Sequence, residues 1–305
     1  MSEQRRGVMF GAAAYVMWGA FPLYFPLLEP AGAWEILGHR ILWSLVVAAA
    51  LVLIVGRRKQ VAEILRDRRK LLLLTAAAGV ISINWVTYIW GVNNGRIVET
   101  SLGYFTNPLV TMLMGVIILR ERMRKLQWVA LGIAFVSVVV LTIDYGRLPW
   151  VALILAFSFG TYGLLKKSAG VGPFESLAVE TAVTAPFALA LIIALQATGS
   201  GTLVGHGVLH VLLMISLGVI TVVPLACFGA AAIRVPMVTI GLLQYLAPIL
   251  QFAVGVFIAH EAMPPGRWAG FAIVWVALVI FSAEAVHHRR KVLRTLVTPP
   301  SSTTV

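Results

Sequence analysis

Three ionisable residues fall within six positions of each other in an otherwise apolar stretch: Glu35, His39 and Arg40. On a helix, Glu35 and His39 are four apart and share a face, and Arg40 is about 100° round from His39. Placing an Arg or Asp at the centre of a membrane helix costs about 2.5–3.5 kcal/mol on insertion scales, so such groups turn towards a partner or a wet cavity. Arg40 cannot shed its charge. A substrate carboxylate, phosphate or other electron-rich group would satisfy it. Glu35 and His39 can change charge, His39 without any large shift, and are the proton-coupling candidates. A proton taken up there would alter the attraction between Arg40 and its partner. The bland alternative is that all three snorkel to the surface and anchor the helix.

Three further polar faces accompany this group. Asn84 and Tyr88 are four apart, with Trp85 beside them. Tyr104, Asn107 and Thr111 follow at helical spacing, as do Gln244, Pro248 and Gln251 with Tyr245 adjacent. Pro108 and Pro248 each remove a donor and free a carbonyl four residues back, so a helix break is predicted at both. Any one Asn or Gln is explained equally well by a helix–helix hydrogen bond of about 0.6 kcal/mol; together they predict a lined pocket. Glu121 and Glu261, near the ends of their runs, are read as surface carboxylates pairing with nearby Arg. No His/Cys/Asp/Glu spacing predicts a metal site, and no cofactor motif is present.

These side chains need elements to hold them. Of 305 residues, 60% are hydrophobic and 12% charged, against about 25% charged in soluble proteins. The composition excludes a soluble enzyme and predicts an all-α integral membrane protein. At roughly 20 residues per crossing, ten apolar runs stand out: 7–28, 34–55, 71–92, 100–119, 128–145, 149–165, 175–197, 208–230, 237–258 and 266–285. With ten alternating helices and a cytoplasmic N-terminus, twenty Lys/Arg fall inside and three outside, with Arg40 within a span. That asymmetry is the positive-inside pattern. It accounts for the net charge of +12 without invoking nucleic acid, and places both termini in the cytoplasm.

Sliding the chain against itself by 140 positions aligns Leu102, Pro108, Gly115, Glu121 and Trp128 with Leu242, Pro248, Gly255, Glu261 and Trp268, and Glu35 with Glu175. Two five-helix halves result, 1–145 and 146–285, followed by a basic tail, 286–305, whose end reads as disordered. Five is odd, so the second half enters the membrane inverted, an architecture of secondary transporters with substrate near the midplane. Glu175 and Glu180 occupy the places in the second half that Glu35 and Arg40 occupy in the first, with no Arg between them.

Several strings carry a family resemblance: Trp18 to Tyr24, Glu35 to Arg40, Asn84-Trp85 with Tyr88-Ile89-Trp90, Ser101 to Phe105 with Asn107-Pro108-Leu109, and Leu243 to Pro248. The chain resembles the RarD group of the EamA-like transporters, in the drug/metabolite transporter superfamily. The resemblance spans roughly residues 7 to 285. It implies a multi-pass permease of the bacterial inner membrane, exporting a small metabolite or drug-like solute, and leaves the substrate open. An importer or exchanger of the same fold is the alternative. An intramembrane enzyme is remote, since no metal cluster or Ser/His dyad is spaced for it, and no P-loop supports direct ATP drive. The expected partners are a small solute, the lipid bilayer and a proton as candidate coupling ion.

Overall fold

The computed structural model describes residues 2–119, 123–235 and 237–297. Among these there is no strand, and each of the ten apolar runs falls on helix. The elements are α1 (Glu3–Gly19), α2 (Phe21–Tyr24) continued by a 3-10 turn (Phe25–Leu28), α3 (Ala33–Ile54), α4 (Arg58–Arg66), α5 (Arg68–Asn93), α6 (Ile97–Leu119) and α7 (Lys125–Tyr145). Then come α8 (Trp150–Ala169), α9 (Pro173–Ala197), α10 (Gly207–Ala232), α11 (Met237–Leu243), α12 (Leu246–Ala253) with a π-turn (Val254–Ile258), and α13 (Pro265–Val297).

Eight of these stretches are long and apolar enough to cross a membrane, or nine if α1 and the segment Phe21–Leu28, bent by 41°, count as one. Outward side chains such as Ile54, 83% exposed, and Phe187, 76% exposed, suit only a lipid solvent. The run at 149–165 is the one expected span outside that count. Its helix, α8, is helical for 20 residues but carries Ser158, Tyr162 and Lys166, whose polar atoms bond to other side chains of the chain. Two polar stretches outside the apolar runs are also largely helical. Residues 58–66 form amphipathic α4, seated by Ile64 against Leu74, Ala169 and Val179, and α13 runs on through residue 297. Asp67 then caps α5, and the Lys70 amide it accepts, with that of Arg69, holds its carboxyl below the usual range. The expected disorder of 298–305 lies outside the described residues, as does Glu121.

The chain forms two compact units, Met1–Arg120 with Pro149–Met263, and Glu121–Leu148 with Pro264–Val305. In the second unit α7 packs along α13. Ser137 Oγ donates to the Gly270 carbonyl at 2.7 Å, and Arg267–Asp144 (3.1 Å) and Arg124–Glu284 (2.7 Å) pair the two helices.

In the first unit α3 packs on α9 and α10, α5 and α6 pack on α8, and α10 and α12 pack on α1. Its core holds Phe25, Leu28, Ile36, Ile89, Leu155, Met214 and Leu217, all fully buried. Two glycines permit the closest approaches. A Cβ on Gly103 would lie 2.8 Å from the Ala152 carbonyl, and one on Gly218 would overlap the Trp43 backbone. Larger residues there would push α6 off α8, or α10 off α3.

The two prolines behave differently. Pro248 lies just after a break at Gln244–Tyr245, where α11 ends and α12 begins. Pro108 sits inside α6, which stays helical from Ile97 to Leu119. The predicted break is therefore absent there. Its packing along α8, closest where Gly103 meets the Ala152 backbone, keeps that stretch continuous. Glu261, expected to pair with arginine, accepts the Ile97 and Val98 amides. These are orphan donors at the start of α6, which a carboxylate satisfies well.

Candidate functional site

Arg40, seven residues beyond the start of α3 at Ala33, is 4% exposed. Its Nε donates to Thr221 Oγ1 on α10 at 3.0 Å, and that hydroxyl donates onward to the Leu217 carbonyl at 2.7 Å. The guanidinium carbon lies 4.1 Å from the centre of the Trp85 ring and 5.3 Å from that of Phe21. Tyr88 and Tyr104 lie within electrostatic reach, their rings 5.5 Å apart and edge-on. Among the described residues no carboxylate lies within 4.0 Å of Arg40. A buried cation held by one hydroxyl and aromatic faces is thus short of negative charge, and an uncompensated buried charge costs several kcal/mol.

Glu35 and His39 do share a face, but it is not Arg40's. Glu35 accepts the Thr202 N–H at 2.6 Å and the Thr202 hydroxyl at 3.0 Å. His39 lies near Glu35 and His210, and its Nε2 is buried without a hydrogen-bond partner. The helical offset between positions 39 and 40 separates the two sets of contacts.

Asn84 is fully engaged. Its amide donates to the Leu155 carbonyl at 3.0 Å and to Ser158 Oγ at 2.9 Å, and its oxygen accepts the Tyr104 hydroxyl at 3.1 Å. Asn84 therefore fastens α5 to α8 and orients Tyr104. At about 0.6 kcal/mol per membrane hydrogen bond, Asn84→Ala is expected to cost about 2 kcal/mol. A thermal-unfolding comparison in detergent checks it; unchanged stability would release Asn84 to a solute.

Tyr88 Oη and Asn107 Oδ1 are buried with no hydrogen-bond partner. Gln244 and Tyr245 are half-buried in the break before α12, the helix that packs on α1 and α6. Nearby Gln251 donates to the Trp18 carbonyl at 3.2 Å. The structure thus groups Arg40, Trp85, Tyr88, Tyr104 and Asn84, and sets Glu35 with His39 apart from them.

Sequence reasoning missed Thr221 and Phe21, which hold Arg40, and a second charged cluster. Glu180, 3% exposed, accepts Lys166 Nζ at 2.8 Å and the Tyr162 hydroxyl at 3.1 Å, and Lys166 also reaches Ser176. The 140-residue offset that maps Arg40 onto Glu180 was the available signal for that cluster. Lone polar residues such as Thr221 in the apolar α10 were the other. Among the described residues no group of three His, Cys, Asp or Glu could hold a metal.

The profile of the EamA-like transporter family matches residues 5–143. The RarD protein of Streptomyces exfoliatus is 54% identical over 290 residues, 95% of this chain and 92% of the relative. The chain belongs to the RarD group of EamA-like transporters. The RarD protein of Escherichia coli K12 is 38% identical over 289 residues, covering 95% and 98% of the two chains. A protein of Bacillus subtilis named an uncharacterized transporter, YojE, is 39% identical over 295 residues, covering 95% and 97%. A solved crystal structure, 18% identical, aligns with 90% of this chain and 96% of its own at a TM-score of 0.60, which shows a shared fold. As a RarD-type permease, the protein is a multi-pass protein of the bacterial inner membrane that carries a small solute.

Proposed function

We propose that this permease is a proton-coupled secondary exporter whose solute is held by Arg40 through a negative or electron-rich group. The observation that carries this reading is the buried guanidinium stacked on Trp85 with no carboxylate beside it. A solute anion would supply the missing charge, while Trp85, Tyr88 and Tyr104 would cover its apolar part. Tyr88, Asn107, Gln244 and Tyr245 are the further contacts proposed, and the break at Gln244–Tyr245 is the place where α11–α12 would flex. Glu35 and His39 carry the coupling proton on this reading.

The proposed frame is ten spans in two inverted halves, 1–145 and 146–285, with both ends cytoplasmic. Its support is the packing pattern. Under the 140-residue offset α8 stands for α1, α9 for α3, α10 for α5 and α12 for α6. The packing of α5 and α6 on α8 is then the counterpart of that of α10 and α12 on α1. The family profile likewise covers one half, residues 5–143. Reporter fusions after Arg58 and Arg290 are expected to read cytoplasmic, and fusions at Asn94 and Ser200 external. A cytoplasmic signal at Ser200 would break the inverted-repeat reading. For function, purified protein in liposomes is screened with labelled small anions, cations and neutral solutes, with and without an imposed pH gradient. Proton-driven movement of anions is expected; movement of cations alone would overturn the role given to Arg40, and transport insensitive to the gradient would overturn the coupling.

A further inference from the structure

Two buried carboxylates each tie down a connection from a distant part of the chain. Glu35, in the first turn of α3, binds Thr202 in the connection from α9 to α10 through the amide and the hydroxyl. Glu175, in the first turn of α9, accepts Arg57 Nη1 at 3.0 Å, and Arg57 lies in the connection from α3 to α4. The glutamates are 2% and 4% exposed and stand 140 positions apart. The connections correspond as well, since each follows the helix that carries the other glutamate. Each half therefore clips the other half's connection by one carboxylate, and both clips are closed.

The two differ in strength. Because the Thr202 hydroxyl donates to Glu35, it can only accept from His210 Nε2, 2.9 Å away, so that nitrogen carries the proton. His206 Nδ1 donates to the Thr202 carbonyl at 3.0 Å. Thr202 is thus held at its amide, its hydroxyl and its carbonyl. Arg57 has a half-exposed side chain, 51% accessible, where water and salt screen an ion pair.

We infer that Glu35 and Glu175 are paired gating residues, Glu35 latching the outer mouth and Glu175 the inner one, and that transport opens one latch while the other holds. The physical basis is that a closed gate needs contacts that are strong yet few. A buried carboxylate with charge-assisted hydrogen bonds supplies them, and releasing one residue frees a whole connection. Assignment of the latches to opposite mouths rests on the inverted-repeat reading; their existence as latches does not.

The test uses full-length protein carrying Cys227→Ser, in liposomes, with spin labels at Trp34 and Ser200 for one latch and at Gln60 and Ser168 for the other. Glu35→Gln is expected to lengthen the Trp34–Ser200 distance and leave the Gln60–Ser168 distance as it was. Glu175→Gln should do the reverse, Arg57→Gln should repeat it, and raised salt should lengthen only the Gln60–Ser168 distance. If either glutamate variant fails to fold, Thr202→Val and Arg57→Gln carry the same expectations. Unchanged distances in all variants, or both glutamate variants moving the same pair, would overturn the proposal. Fusions placing Ser200 and Gln60 on one side of the membrane would overturn only the assignment to two mouths, leaving the distances to judge the latches.

Discussion

Replacing Arg40 by alanine is expected to abolish transport while the protein still inserts and folds. Truncating one partner of a buried, hydrogen-bonded charge pair costs about 2–5 kcal/mol, so the rate for the solute that the unmodified protein carries should fall at least ~30-fold. The residual structure should survive, because Arg40 bonds to one protein hydroxyl and otherwise stacks on rings. Arg40→Lys keeps the charge but loses the planar donor fork and the stacking on Trp85, and should weaken transport without eliminating it. Trp85→Ala removes a desolvated cation–π contact of about 2 kcal/mol and should fall between the two. Uptake into liposomes, normalised to inserted protein, measures all three. Full transport by Arg40→Ala would make the residue a structural cation, and the solute site would then belong with the unpartnered Tyr88 and Asn107.

The largest stability effect is expected at Glu180 and Lys166. Lys166→Met leaves Glu180 buried with only the Tyr162 hydroxyl, and Glu180→Leu strands Lys166, whose side chain is 20% exposed. Breaking a buried pair by removing one partner costs about 3–5 kcal/mol, whereas replacing both by apolar residues is often close to neutral. Each single substitution should therefore lower the unfolding temperature markedly, and the Lys166→Met, Glu180→Leu double substitution should recover most of the loss. Thermal unfolding of the four proteins forms a double-substitution cycle. Additive losses would show that the pair is not coupled and that Lys166 answers mainly to Ser176 and the Tyr162 ring.

The membrane character and the helical nature of the apolar runs were legible in the chain, for one reason. Hydropathy and helical spacing are properties of neighbours in sequence, and a bilayer forces apolar stretches of about 20 residues to be helical. The same local logic marked Glu35, His39 and Arg40 as conspicuous and put Glu35 and His39 on one face. It could not say what each would touch. Arg40 meets Thr221 across 181 positions, Glu35 meets Thr202 across 167, and Glu175 meets Arg57 across 118. Which of two adjacent faces of α3 turns to Trp85 and which to Thr202 depends on how α3 seats against α5, α9 and α10. That seating is set by close approaches such as Gly218 on the Trp43 backbone, which no spacing rule encodes. Likewise Pro108 and Pro248 occupy equivalent places, yet only the stretch ending at Pro248 breaks, because helix continuity depends on what packs alongside. Tertiary packing alone decided that Asn84 is a fastener, that Glu261 is a helix cap, and that the buried guanidinium of Arg40 has no carboxylate of its own.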